Sequence, residues 1–283
     1  MTIKNLFPIM AISMVIFSSC GPAGKLATRE VTPSFPPFDQ GGKTAIVAHR
    51  GFWNCSAAGF AQNSIASLRE AQKHGFWGSE CDIHLTSDNE VVVHHDRTIA
   101  GIDIQTCRFA ELAPFRLRNG ESIPTLDAYL AQAEESDKTV LIIELKPHDN
   151  AEREDKLVKL TLKAVKAHHL YSPDRVAFIS FSKHICDVIA KECPEFTNQY
   201  LNGELSPAQL AADAINGLDY EDTVLLADPN MIAAAHALGM STNVWTVNKR
   251  EDLEFFSCLG IGAITTNEPL LLRDLLDNKE YRK

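Results

Sequence analysis

The chain has no excess of positive charge: 27 Lys and Arg stand against 37 Asp and Glu, a formal charge of −10. Nucleic-acid binders carry a basic face, so nucleic acid is excluded as the main partner. Loose electrostatic adhesion to anionic lipid is excluded on the same ground. Any phosphate recognition must be local, through a metal ion or a few placed cations. A transmembrane run is also missing, because the apolar stretch Leu6 to Phe17 is too short to cross a bilayer. What remains is ordinary for a globular protein, 45% hydrophobic and 23% charged over 283 residues. That length suits one large α/β domain or two small ones.

The first residues read as a targeting segment. Lys4 gives a positive start, the apolar run follows, and Ser18 and Ser19 lead to Cys20. Phe17-Ser18-Ser19-Cys20 resembles a bacterial lipobox, in which the cysteine is acylated and becomes residue one. The expected organisation is a signal peptide over 1–19, a lipidated Pro- and Gly-rich linker over 20–42, and a folded domain over 43–283. Acylation of Cys20 would make the chain an exported lipoprotein on the periplasmic side of a membrane, the outer one by expectation. Ordinary secretion, with Cys20 in a discarded peptide, is the alternative.

An oxidising compartment permits disulfides. Cys186 and Cys193 are seven apart on an expected helix, about 10 Å, which is too far for a bridge. Cys55 and Cys107 both fall in expected loops and are the conceivable pair. Cys81 lies between two residues that share one strand face, so its thiol should point the other way, under the helices.

From Thr44 onward strand and helix signals alternate without a linker-like break. Strand-like runs are 44–49, 78–84, 90–95, 139–145, 175–181, 197–201, 222–227, 243–247 and 261–266. Helical stretches are 63–74, 125–135, 152–169, 182–192, 206–216, 229–239, 250–259 and 268–278. In 152–169, Leu157, Leu160, Ala164 and Val165 fall on one helical face. Nine strands are one too many for a (β/α)8 barrel. Only Thr86-Ser87-Asp88-Asn89 separates the second run from the third, which suits a tight turn and not a crossover. The third run should therefore fold back as a hairpin arm after strand 2. Eight parallel strands remain, and a TIM barrel is expected.

Active sites of such barrels lie at the carboxyl ends of the strands. His49, Glu80, Asp82 and Glu144 fall at or near those ends. Glu80 and Asp82 share one face of their strand, so two anions would repel each other unless a cation sits between them. Glu144 arrives from the next strand. Three carboxylates without matching His or Cys ligands favour a hard cation, Mg²⁺ or Ca²⁺. The competing reading is a salt-bridge network in which the acids pair with Arg50 and Lys146. Two histidines beside a metal can serve as general base and general acid. His49 is one; His94 and His95 are adjacent, face opposite ways, and the residues alone leave the choice open. The remaining histidines are expected to be structural. Arg50 and Lys146 would neutralise substrate oxygens, and Asp96 would orient its neighbour or cap the next loop.

Taken in order, His49-Arg50-Gly51, Glu80-Cys81-Asp82, Thr86-Ser87-Asp88, His95-Asp96, Ile123-Pro124-Thr125-Leu126 and Glu144-Leu145-Lys146 resemble the glycerophosphodiester phosphodiesterase family. Late segments Val244-Trp245-Thr246-Val247-Asn248 and Ile264-Thr265-Thr266-Asn267-Glu268-Pro269 extend the match to roughly 44–270. That family is a TIM barrel related in fold to phosphatidylinositol-specific phospholipase C. The resemblance implies His49 and His95 as the acid–base pair, which chooses His95 over His94. It implies Glu80, Asp82 and Glu144 as ligands of one Mg²⁺ or Ca²⁺, Arg50 and Lys146 as phosphate contacts, and Trp245 as a pocket wall. The implied reaction is hydrolysis of a glycerophosphodiester to glycerol 3-phosphate and an alcohol.

Two departures stand out. Ala61-Gln62-Asn63-Ser64 replaces P-E-N-T, so Gln62 brings no carboxylate to Arg50 or the metal. Asn267 replaces the acid of T-D-x-P, a change expected to touch a strand-end contact more than the chemistry. Alternatives are a phospholipase D- or C-type enzyme on lysolipid or inositol lipid, with Phe52, Trp53 and Phe60 lining a wider mouth, a tethered binding protein without turnover, or a glycosidase using paired carboxylates.

Overall fold

Strand β1 (Ala45–Ala48) opens the folded body, and α1 (Ile65–Lys73) follows a long turn. The computed structural model describes residues 44–278. The expected signal peptide, the linker and Cys20 lie outside the described residues. Ser64 caps α1, accepting from Ser67 N at 2.9 Å while Ser67 Oγ accepts from Ser64 N at 3.2 Å.

Next come β2 (Gly78–Leu85), β3 (Val91–Val93) and a short pair, β4 (Thr98–Ile99) with β5 (Ile102–Asp103). Two helices follow, α2 (Phe109–Leu112) and α3 (Leu126–Ala133). The chain then alternates: β6 (Val140–Leu145), α4 (Ala151–Ala167), β7 (Val176–Ser180), α5 (Lys183–Glu192) and β8 (Asn198–Tyr200). After α6 (Pro207–Ala212) come β9 (Gly217–Glu221), α7 (Asp222–Ala227) and α8 (Asn230–Ala237). The last elements are β10 (Ser241–Trp245), α9 (Arg250–Cys258), β11 (Ala263–Thr266) and α10 (Pro269–Asp277).

Eight of these strands pair side by side in parallel, in the order β1-β11-β10-β9-β8-β7-β6-β2, and β2 returns to β1 to close the ring. The expected (β/α)8 TIM barrel is the fold. The expected hairpin arm is there too. β3 runs antiparallel to β2, with Ile83 opposite Val93 and Leu85 opposite Val91. Asn89, at φ 70°, lets the turn close, and Thr86 N donates to Glu90 O at 2.9 Å.

One expected strand is wrong. Residues 222–227 form helix α7, and the barrel strand is Gly217–Glu221 just before it. A short apolar run does not by itself distinguish a strand from a buried helix. The true strand was hidden by Asp219, a carboxylate that sits buried within it. The helix expected over 206–216 is also shorter, ending at Ala212 so that the strand can start.

Apolar residues fill two spaces. Ala45, Val47, Val140, Ile142, Ala177, Ile179 and Ala263 cluster together from the strands inside the barrel. A larger cluster packs β2, β6 and β7 beneath α3, α4 and α5. Cys81 is buried in that outer layer, as its place between Glu80 and Asp82 requires. All six cysteines among the described residues are free thiols, so Cys55 and Cys107 form no bridge. Among the described residues no helix is long and apolar enough to cross a membrane.

Candidate active site

The site starts where β1 ends. Arg50 and Gly51 both take positive φ, 55° and 76°, and turn the chain inward over β2. Arg50 N then donates to Glu80 Oε2 at 2.8 Å, and Gly51 N to Glu80 O at 3.0 Å. A Cβ on Gly51 would lie 2.3 Å from Ser67 Oγ and 2.7 Å from the Ser67 backbone. Gly51→Ala is therefore expected to destabilise the fold by about 1–3 kcal/mol, since α1 must shift to relieve the overlap. Denaturant unfolding of the variant checks this; an unchanged midpoint would show that the turn is not tight.

Arg50 reaches across the mouth. Its Nη1 donates to Gln62 Oε1 at 2.7 Å, and its Nε lies 3.6 Å from Asp82 Oδ2. Gln62 thus holds the guanidinium with a neutral oxygen, so the missing acid does not leave Arg50 without an orienting acceptor. The next residue matters as much. Asn63, at φ 54°, donates Nδ2–H to Asp82 Oδ2 at 2.7 Å and accepts from Asp82 N at 3.2 Å. Nothing in the residue pattern singled out that role for Asn63.

Glu80, Asp82 and Glu144 are buried, and one carboxylate oxygen from each lies within 4.8 Å of the others. Lys146 enters the same group, with Nζ 2.7 Å from Asp82 Oδ1 and 2.6 Å from Glu144 Oε1. Both sequence readings therefore coexist: a carboxylate cluster, with a cation of the chain drawn into it. Satisfaction is incomplete. Glu80 Oε1 is buried and meets no donor, and Asp82 Oδ1 and Glu144 Oε1 meet the ammonium at ion-pair distance without hydrogen-bond alignment.

The electrostatics follow from this crowding. Burial, then the charges of Asp82 and Glu144, push Glu80 well above the usual carboxylate range. Burial lifts Glu144 to about 8 despite Lys146. Asp82 is desolvated as well, yet Lys146, His95 and Arg50 together hold it well below its ordinary value. Three buried carboxylates share one ammonium and the Arg50 guanidinium, still short of positive charge, and a divalent cation is the group that would correct it. The donor set is all oxygen, which fits a hard ion.

His49 follows β1 and is held from behind: Nδ1 lies 2.9 Å from Asn267 Oδ1. Asn267 is thus no distant strand-end contact but the direct partner of this ring, 218 positions away in sequence. Burial, then Arg50, lower His49 to about 4. His95 follows the hairpin arm, and its Nδ1 lies 2.7 Å from Asp96 Oδ1, so Asp96 orients it as expected. His84, read from sequence as merely structural, meets the His95 carbonyl through Nε2 at 3.2 Å and fixes the backbone there. Burial, opposed mainly by Asp82, lowers His95. Both rings lie within electrostatic reach of Asp82 and of each other.

Trp245 stands at the end of β10, half-buried and edge-on to Phe181 with ring centroids 5.4 Å apart. Its Nε1 donates to Asp219 O at 2.9 Å. Asp219 is a carboxylate that sequence reading missed, because it sits on the misplaced strand. Burial and then Glu144 push it well above the usual range, and its Oδ2 accepts from Asn243 Nδ2 at 3.1 Å.

A model of the glycerophosphoryl diester phosphodiesterase family matches residues 49–271, which takes in every one of these groups. The chain belongs to that family. It is thereby an enzyme, a phosphoric diester hydrolase, and the glycosidase reading is set aside. A crystal structure of a glycerophosphodiester phosphodiesterase from Parabacteroides distasonis is 41% identical, with a TM-score of 0.81 over 84% of this chain and 99% of that one. A glycerophosphodiester phosphodiesterase of Caldanaerobacter subterraneus subsp. tengcongensis is 27% identical over 256 residues, 83% of this chain and 98% of the relative. An Oleispira antarctica phosphodiesterase, solved in complex with the product sn-glycerol-3-phosphate, shares the fold at 22% identity and a TM-score of 0.71, covering 83% of this chain and 98% of that one.

Proposed function

We propose that this phosphodiesterase hydrolyses glycerophosphodiesters to glycerol 3-phosphate and an alcohol, with Mg²⁺ or Ca²⁺ held by Glu80, Asp82 and Glu144. The observation that carries the reading is the convergence of three buried, under-satisfied carboxylates within 4.8 Å, beside two histidines. When bound, the cation supplies charge to phosphoryl oxygens and to a substrate hydroxyl.

The two histidines differ in their partners, and this divides the work. His49 leans on a neutral amide, whose oxygen favours the imidazolium only weakly, and burial together with Arg50 keeps the ring uncharged near neutrality. It is the general base, taking a proton from water or from the glycerol hydroxyl. His95 is lowered by burial, but Asp82 and then its Asp96 carboxylate partner favour the charged ring, so it is the better placed of the two to give a proton to the leaving alkoxide. Arg50, oriented by Gln62, faces the developing phosphoryl charge. Lys146, beside Asp82 and Glu144, would be the second cation for phosphate oxygens, and Trp245 would wall the mouth.

Export and acylation at Cys20 would tether this activity to a membrane surface. The test is purified protein with glycerophosphocholine and either metal, coupled to glycerol 3-phosphate detection. Product at a rate far above the metal-free control is expected. No product from any diester in a panel of head groups would leave the tethered-binding alternative standing.

A further inference from the structure

We infer that Trp53 sets the tautomer of His49 by fixing which way Asn267 points. The inference rests on His49 acting as the base. An asparagine amide has an oxygen end and an NH₂ end, and a half-turn about its last bond exchanges them. Asn267 Oδ1 lies 2.9 Å from His49 Nδ1 and 3.0 Å from Trp53 Nε1. An indole N–H can only donate. The atom facing it must therefore be the oxygen, and the same oxygen then faces His49. Nδ1 must carry the ring proton, and Nε2 keeps its lone pair.

Without the indole N–H the flipped amide becomes acceptable. Its NH₂ would then donate to His49 Nδ1, the ring proton would move to Nε2, and the lone pair that removes the substrate proton would be lost. An acid at this position would need no such guard, because a carboxylate presents an acceptor in either orientation. Asparagine is thus the residue that makes Trp53 necessary.

The loop is built to keep the indole in place. On one side Phe52 is buried, edge-on to the rings of His74 and Phe76 with centroids 5.1 and 5.4 Å away, and its N donates to Ser67 O at 2.9 Å. On the other side Asn54 Nδ2 donates to Glu268 Oε1 at 2.8 Å, on the residue after Asn267. The Asn267 backbone is held in turn, its N donating to Asn248 Oδ1 at 2.8 Å. Trp53 is a positioning residue, acting through Asn267.

The experiment is long-range ¹H–¹⁵N NMR of histidine-labelled full chain near neutral pH, with His49→Ala used to assign the ring, alongside steady-state kinetics. Wild type should show a protonated Nδ1 and a bare Nε2. Trp53→Phe keeps the ring and removes the donor; the Nε2–H tautomer should appear, and kcat should fall by about 10–100-fold, the usual range for losing a group that orients a functional imidazole, with KM little changed. Adding Asn267→Asp to Trp53→Phe should restore both the tautomer and most of kcat, a rescue that simple loss of packing would not give. A wild-type ring protonated on Nε2, a Trp53→Phe ring with unchanged tautomer, or a double variant without the restored tautomer would overturn the inference. Full turnover by His49→Ala would instead overturn the role of His49 in the reaction, leaving the NMR result to stand by itself.

Discussion

Removal of divalent metal with excess chelator should abolish turnover, and either Mg²⁺ or Ca²⁺ should restore it. Glu144→Gln and Asp82→Asn should each lower kcat/KM on the order of 10³-fold, because a polarising cation contributes several kcal/mol to a phosphoryl transition state. The same cluster makes a second, opposite statement about stability. Burial raises Glu80 and lifts Glu144 to about 8, above the ordinary value of an unfolded carboxylate. A group raised on folding stabilises fully below its unfolded value, and that contribution is lost as pH rises through the folded one. Between pH 4.5 and 6.5 the buried histidines, lowered on folding, oppose this trend, so metal-free protein should lose thermal stability as pH rises from about 6.5, where those rings are neutral in both states, toward 8. Added metal should flatten that slope, and Glu144→Gln should flatten it without metal. Thermal melts across pH with and without the cation read all three. A metal-free chain whose stability is flat or rising over this range, together with activity unmoved by chelation, would mean that Lys146 alone satisfies the acids.

His49→Ala and His95→Ala should each reduce kcat by about 10²–10⁴-fold, the contribution of one positioned acid or base. Circular dichroism and the unfolding midpoint should change little, since both rings face the mouth and not the packed layers. The pH profile separates the two. Burial, followed by Arg50, places His49 at about 4, so the base form persists well below the ordinary histidine value. Activity should decline only as pH falls toward that value, where the ring gains a proton and the base is lost. A steep acid limb at the ordinary histidine value of about 6.5 would contradict the account of His49 as a buried, neutral base. Comparable activity in both alanine variants and wild type would remove histidine catalysis altogether.

The barrel was legible because local pattern carries it. Apolar runs marked seven of the eight barrel strands, and a four-residue polar turn announced that β3 must fold back. Gly217–Glu221 escaped because the inside of this barrel is not wholly apolar. Asp219 breaks the run, while the apolar residues that drew attention belong to helix α7. In the site, residue types and strand-end positions were enough to gather His49, Glu80, Asp82 and Glu144, while His95 was chosen over His94 only by the family resemblance. Side-chain pairings were less accessible. Asn267 and His49 meet only because β11 and β1 are neighbours in the closed ring. Periodicity says nothing about two residues more than two hundred positions apart. Asn63 stood inside a recognised segment, but its hold on Asp82 depends on a left-handed backbone that residue type alone does not dictate. Lys146 shows the same limit, since alternation places it beside the acids without saying that its ammonium would enter them.

The most direct test is ³¹P NMR of glycerophosphocholine incubated with the full chain, run with Mg²⁺ or Ca²⁺ and again after metal removal. The account predicts that the diester resonance gives way to glycerol 3-phosphate only when metal is present, and that Asp82→Asn stops the conversion. Conversion at the same rate without metal, or no conversion with it, would contradict the assignment of Glu80, Asp82 and Glu144 as the centre of the reaction.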